Sequence, residues 1–217
     1  MGAYGFQTPR DLPRSIPIFP LEGALLLPRT ALPLNIFEPR YLNMIDDALG
    51  GERLIGMIQP SPHAQNNPPE LCDVGCVGRI TTYAETDDGR YLITLTGLCR
   101  FRATRELDVK TPYRQVEALF DEFGSDLSPV AHEFGVDRDR LSQSLRHYAE
   151  ANGMRADWTA VEEAPAEALV NTLATMCPFE PDEKQALLEA PDLASRCEAL
   201  ITLFEIDSAP GGASSVQ

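Results

Sequence analysis

The chain has 217 residues, 43% of them hydrophobic and 24% charged, with a formal net charge of −15; this is enough to bury the core of one large or two small domains. The charge is uneven: residues 1–120 carry 12 Lys and Arg against 14 Asp and Glu, whereas residues 121–217 carry 6 against 19, so two different structural units are expected. A chain this acidic is a poor partner for nucleic acid or an anionic membrane, because neutralising phosphate takes clustered Lys and Arg.

Five cysteines, an odd number, argue against a disulfide framework. No apolar signal region precedes Arg10, Asp11, Pro13 and Arg14. The longest uninterrupted apolar stretch, Gly23 to Pro28, is far too short to span a bilayer. A reduced, cytoplasmic protein without a membrane partner is the expectation.

In chain order, residues 1–14 read as a frayed end. Residues 16–41, IPIFPLEGALLLPRTALPLNIFEPRY, form an apolar run broken by five prolines, which neither a regular central strand nor one long helix accepts. Short strands at Ile16–Phe19 and Leu32–Phe37, on either side of a turn at Gly23 or Pro28, are the solution. Pro39–Gly50 has the helix pattern, with proline in the first turn, Leu42, Ile45 and Leu49 on one stripe and glycine as the stop. Arg53–Ile58 is a strand, and Pro60–Glu70, with four prolines, is an exposed and mobile loop. Strands follow at Val74–Glu85, at Tyr91–Thr96 after a hairpin turn at Asp87-Asp88-Gly89, at Cys99–Glu106 beyond a break at Gly97, and at Tyr113–Phe120. From Leu127 the period becomes helical. Asp137 is a candidate N-cap for a helix with Leu141, Leu145 and Tyr148 on one face, stopped at Gly153. Three more helices begin just after Pro165, Pro181 and Pro191. The tail from Ala209 has too little apolar character to fold. The fold class is α+β: a β domain with one inserted helix (15–122), then a helical bundle (127–207), with residues 208–217 disordered.

A search for catalytic constellations is mostly negative. Only two lysines exist, Lys110 and Lys184, neither preceded by glycine, so no G-x-x-x-x-G-K-[ST] phosphate loop is present. The histidines His63, His132 and His147 show no metal-binding spacing. Cys72 and Cys76, four apart, would lie about 13 Å apart along a strand, too far to share a zinc with bonds of ~2.3 Å; they read as free thiols packed as small hydrophobes. No catalytic residue, metal or cofactor is assigned. Arg100 and Arg102 share a strand face and are expected to pair with carboxylates of the acidic helical half.

Four segments together resemble one family: residues 16–41, DVGCVGRI (73–80), LITLTGLCRFR (92–102) and PFEPDEKQALLEAPDLASRCEAL (178–200). In order and spacing they are similar to the N-terminal substrate-binding domain of the ATP-dependent Lon protease. The resemblance implies a PUA-like β pseudobarrel followed by a helical bundle, in a region that captures unfolded or damaged polypeptides and helps the full protease to assemble. It also implies that ATPase and Ser-Lys peptidase chemistry belong to separate domains, which are not expected in a chain ending at Gln217. PUA folds often bind RNA, a role the net charge argues against.

Two functions follow as expectations. The first is non-catalytic binding of unfolded or extended apolar polypeptide, with Leu25, Leu26, Leu27, Phe37 and Tyr41 as candidate contacts, each with the barrel core as its alternative place. The second is an adaptor or regulatory role, in which the acidic helical half docks on a separate protease or on another copy of the chain.

Overall fold

The computed structural model describes residues 5–61, 66, 68–128 and 135–208. His63, His132, part of the Pro60–Glu70 loop (62–65 and 67) and the tail from Ala209 lie outside the described residues. Two compact units are present, Met1–Pro129 and Val130–Gln217.

The first unit is built on six strands: β1 (Ser15–Pro20), β2 (Ala31–Ile36), β3 (Leu54–Ile58), β4 (Val74–Glu85), β5 (Tyr91–Glu106) and β6 (Gln115–Leu119), with helix α1 (Pro39–Gly50) between β2 and β3. The sheet order is β2-β5-β4-β3-β1-β6, and β6 also pairs with β5. Five strands therefore close into a barrel, with β2 attached outside the ring. β1 and β3 pair in parallel; the other ladders are antiparallel. β1 and β2 are thus not the two arms of a hairpin. Parallel neighbours need a crossover, and β2 with α1 supplies it.

β5 runs through Gly97 without a break. The glycine marks a crossing rather than an end: a Cβ there would lie 2.1 Å from the Leu27 carbonyl oxygen. At its partner Gly78 a Cβ would lie 2.8 Å from Leu26 Cδ2. This pair of glycines lets the 25–27 loop settle on the sheet, where Leu25, Leu26 and Leu27 are buried. Each contributes roughly 1.5–3 kcal/mol by leaving water. Thr30 Oγ1 donates to the Leu27 carbonyl (2.8 Å) and accepts from the Leu27 amide (3.1 Å). The barrel interior is organised around Phe101, fully buried, under which Gly56 and Gly75 leave room for the ring.

A 3-10 helix, Asp121–Leu127, ends the first unit and supplies the carboxylates for the β5 arginines. Asp126 takes two hydrogen bonds from the Arg100 guanidinium (2.9 and 3.0 Å) and one from the Arg100 amide (3.0 Å), all buried. Glu122 pairs with Arg102 at 2.8 Å. The expected ion pairs therefore form, but with this segment rather than with the helical bundle. Nor is the N-terminal segment frayed where it is described. Phe6 and Leu12 are buried, and Pro9–Asp11 form a second 3-10 helix.

The second unit holds α2 (Arg138–Ala151), α3 (Trp158–Glu163), α4 (Ala166–Met176), α5 (Pro181–Glu189) and α6 (Leu193–Asp207). Asp137 caps α2 through the Arg140 amide (3.0 Å). α6 is the central helix, packed against α2, α4 and α5. Tyr148, Phe179 and Phe204 form its aromatic cluster, with Tyr148 and Phe204 centroids 4.7 Å apart. Burial pushes the Cys177 and Cys197 thiols up to about 11, so they stay protonated at neutral pH. All five cysteines are free thiols; Cys72 is half-buried and the other four are buried. The short α3 has no counterpart in the sequence expectations, since six residues are too few to show a period.

Two stability measurements test this packing. Gly97→Ala should lower unfolding free energy by about 2–4 kcal/mol through overpacking, read by urea denaturation. Gly50→Ala, where a Cβ meets nothing within 4 Å, should be neutral or slightly stabilising; equal losses would remove the crossing from the account. Separately, Arg100→Met should cost about 3–5 kcal/mol by stranding a buried carboxylate. The double variant Arg100→Met/Asp126→Leu should recover most of that loss.

Candidate functional site

The site is assembled by β2, β5 and β4 at the end of the sheet nearest the β4–β5 hairpin. Cross-strand partners in register share a face. Pro33, Thr94 and Thr82 form one row, and Asn35, Leu92 and Ala84 form the next. These six residues line an open, apolar hollow of about 450 Å³. The opposite face carries the rows Leu32, Leu95, Ile80 and Leu34, Ile93, Tyr83; Ile80, Ile93 and Leu95 are buried there, whereas Tyr83, near the hairpin end, is exposed with its ring 5.1 Å from that of Tyr91. Leu26 lies beside Gly78 and Leu95 there, and Tyr91 donates to Asp46 of α1 at 3.1 Å.

Leu92 gives the hollow its character. It is 46% exposed in a strand whose neighbours on that face are Thr94 and Thr96. Behind it the hydroxyls are satisfied among themselves: Thr82 donates to Thr94 (2.7 Å), and Thr81 and Thr96 are 3.0 Å apart. The hydroxyls of the floor are therefore already engaged, and beside the Asn35 carboxamide what is presented is methyl, methylene and ring surface. Beyond Asn35, Phe37 is 64% exposed; two residues of extended chain place it about 7 Å further along.

β2 is the one strand at a sheet edge among the described residues. Gly97 donates to the Thr30 carbonyl (2.9 Å). Antiparallel alternation then turns the main-chain groups of Leu32, Leu34 and Ile36 towards β5 and those of Ala31, Pro33 and Asn35 away from it. Pro33 has no N–H, so the free edge offers donors only at Ala31 and Asn35. Charged groups stay at the margin. Asp88 accepts from Arg90 Nε (2.7 Å) and from Thr86, which holds its carboxyl below the usual range, and Glu38 pairs with Arg40 at 2.8 Å.

Of the five residues proposed from the sequence, four are placed in the core. Leu25, Leu26 and Leu27 fill the loop crossing, and Tyr41 is buried against Phe19, ring centroids 4.3 Å apart. The Arg40 guanidinium lies over the Tyr41 ring, 4.5 Å from its centroid. Phe37 alone of the five faces outward. Sequence reasoning missed Leu92, although a signal was present: within Tyr91–Thr96 it is the apolar residue in phase with the hydroxyls. It also missed Pro33 as part of a surface. Among the described residues no cluster of three His, Cys, Asp or Glu is placed to hold a metal ion. None of the described helices is long and apolar enough to cross a membrane.

Comparison with known proteins agrees with this architecture. Lon protease 2 of Myxococcus xanthus is 26% identical over 208 residues, covering 94% of this chain and 25% of the protease. Lon protease 2 of Sorangium cellulosum is 28% identical over 206 residues, covering 87% and 24%. The chain thus spans about a quarter of the length of the relatives it matches. Among solved structures, the N-terminal domain of the Mycobacterium avium complex Lon protease superposes with a TM-score of 0.64 at 16% identity, covering 88% of this chain and 98% of that one. A Lon N-terminal domain protein from Xanthomonas campestris gives 0.60 at 21%, covering 87% and 97%; both show the α+β fold. Residues 15–205 match the ATP-dependent protease La (LON) substrate-binding domain, and the chain belongs to that family.

Proposed function

We propose that this domain is a non-catalytic binding module that captures extended, apolar polypeptide segments on the open face of β2, β5 and β4. One observation carries the reading: β2, whose outer edge is unpaired among the described residues, borders an apolar hollow walled by Leu92, Pro33 and Ala84, with the exposed ring of Phe37 just beyond. Apolar surface of this kind, rimmed by polar groups, is the usual mark of a partner site. The step of about 7 Å from Asn35 to Phe37 matches the spacing of alternate side chains in an extended chain. A bound segment would set one apolar side chain in the hollow and its next-but-one neighbour against Phe37.

Main-chain groups at Ala31, Pro33 and Asn35 would add hydrogen bonds to such a segment. Because those groups are common to every peptide, the contact tolerates many sequences, and the side chains set only a loose preference. Family membership supports the same role, since the matching domain is described as substrate-binding. We assign no hydrolytic step to residues of this chain. Leu25, Leu26, Leu27 and Tyr41 act by holding the β2–α1 segment in place rather than by touching the bound chain.

Titration with fluorescently labelled, denatured casein tests the reading. Phe37→Asp/Leu92→Asp should weaken binding about tenfold or more, as loss of a central apolar contact does, with the thermal midpoint unchanged because both side chains are exposed. Binding by the wild type should persist as salt is raised. Unchanged affinity in the double variant would overturn the assignment of this face. Binding that collapses with salt would point instead to docking through the acidic helical unit.

A further inference from the structure

A second cleft lies elsewhere on the first unit, where the N-terminal segment meets the end of β6. About 330 Å³ in volume, it is lined by Arg10, Leu12, Arg14, Leu119 and Asp121 among others. Both arginines are exposed, and neither guanidinium has a hydrogen-bonded or ion-paired partner among the described residues. The two cations lie in one cleft of a chain of net charge −15, where acids are in surplus. Arg40, Arg90, Arg102, Arg105 and Arg140 each hold a carboxylate.

The acids nearest in sequence are committed elsewhere. Asp11 accepts from the Gln7 amide (2.9 Å), the Thr8 amide (2.8 Å) and the Thr8 hydroxyl (3.1 Å), bonds that fold its carboxylate back onto the segment before Arg10. Glu117 is held by Arg105 at 2.7 Å, with Arg14 acting on it only as a minor influence. Asp121 also lines the cleft, so its lining carries two arginines and one acid. The mounting is firm: the Arg14 carbonyl accepts from the Ala118 amide at 2.7 Å, and Leu12 is buried beneath.

We infer that this cleft binds the terminal carboxylate of a polypeptide whose last side chain is apolar. The planar fork of a guanidinium matches a carboxylate, and the 39%-exposed Leu119 gives the adjoining side chain an apolar surface. A single negative charge suits a cleft whose net excess is one; a polyanion would meet the acidic remainder of the molecule. The inference rests on the polypeptide-binding reading above and adds a chain end to it: internal apolar segments go to the β2 face, the carboxyl terminus to this cleft.

The test uses the full chain and two labelled peptides of one extended sequence ending in leucine, one with a free carboxylate and one amidated. By fluorescence anisotropy the free acid should bind about tenfold more tightly, the scale of a charge-assisted hydrogen bond. Arg10→Gln/Arg14→Gln should erase that preference while leaving the amide's affinity and the thermal midpoint unchanged. Arg155→Gln, removing a cation elsewhere, should keep it. N-acetyl-leucine should compete better than inorganic phosphate. Equal binding of acid and amide, a preference that survives the double variant or is lost equally in Arg155→Gln, or stronger competition by phosphate would each overturn the inference alone. Failure of the wild type to bind either peptide would overturn it together with the polypeptide-binding reading.

Discussion

Where the 25–27 loop crosses β5, the Leu27 carbonyl oxygen lies 2.1 Å from the place a Cβ on residue 97 would take, so the loop seats only over glycine. Much of the first unit hangs on that crossing. It buries three consecutive leucines on one face of the sheet, and Arg29, held in a left-handed conformation (φ 66°), turns the chain directly into β2. β2 is therefore delivered to the outer edge of β5, outside the closed ring, with its other edge open. The packed face and the open face of the β2–β5–β4 end are two results of the same crossing.

The buried pair of Arg100 and Asp126 decides where the first unit stops. A charged pair this deep is weak as a source of stability, because desolvation offsets much of its attraction, but it is demanding in geometry. Asp126 must sit where it meets both the guanidinium and the amide of Arg100, and Arg100 stacks over Phe123 at 4.7 Å. Arg29 also reaches across to the carbonyls of Asp126 and Ser128. The 3-10 helix is thereby tied both to the strand that carries the hollow and to the loop that launches β2. This is why residues 121–127, acidic like the bundle in composition, belong to the barrel in structure.

Local signals were legible in the sequence, and long-range ones were not. The limits of α1 follow from Pro39 and Gly50, those of β4 from its hairpin and β propensity, and the starts of α2, α4 and α5 from Asp137, Pro165 and Pro181, all within a few residues of chain. Phe37 stands among the candidate contacts with Leu25, Leu26, Leu27 and Tyr41 because all five lie in the proline-broken apolar run 16–41, and no local signal marks it as the exposed one. Leu25, Leu26 and Leu27 could not be separated from it, since their burial depends on two glycines some fifty and seventy residues away. The same reason hid the parallel pairing of β1 with β3 and the continuity of β5 through Gly97. A glycine allowed by proximity and a glycine required to end a strand are identical in one dimension.

Pro33 carries a consequence beyond ligand contact. An open strand edge can pair with any extended chain, another copy of the protein included, and main-chain pairing has no intrinsic stopping point: each added strand exposes a fresh edge. With no N–H at the middle of the exposed edge, β2 cannot template an uninterrupted ladder. Pro33 thus works against fibrous self-association at the one open edge among the described residues.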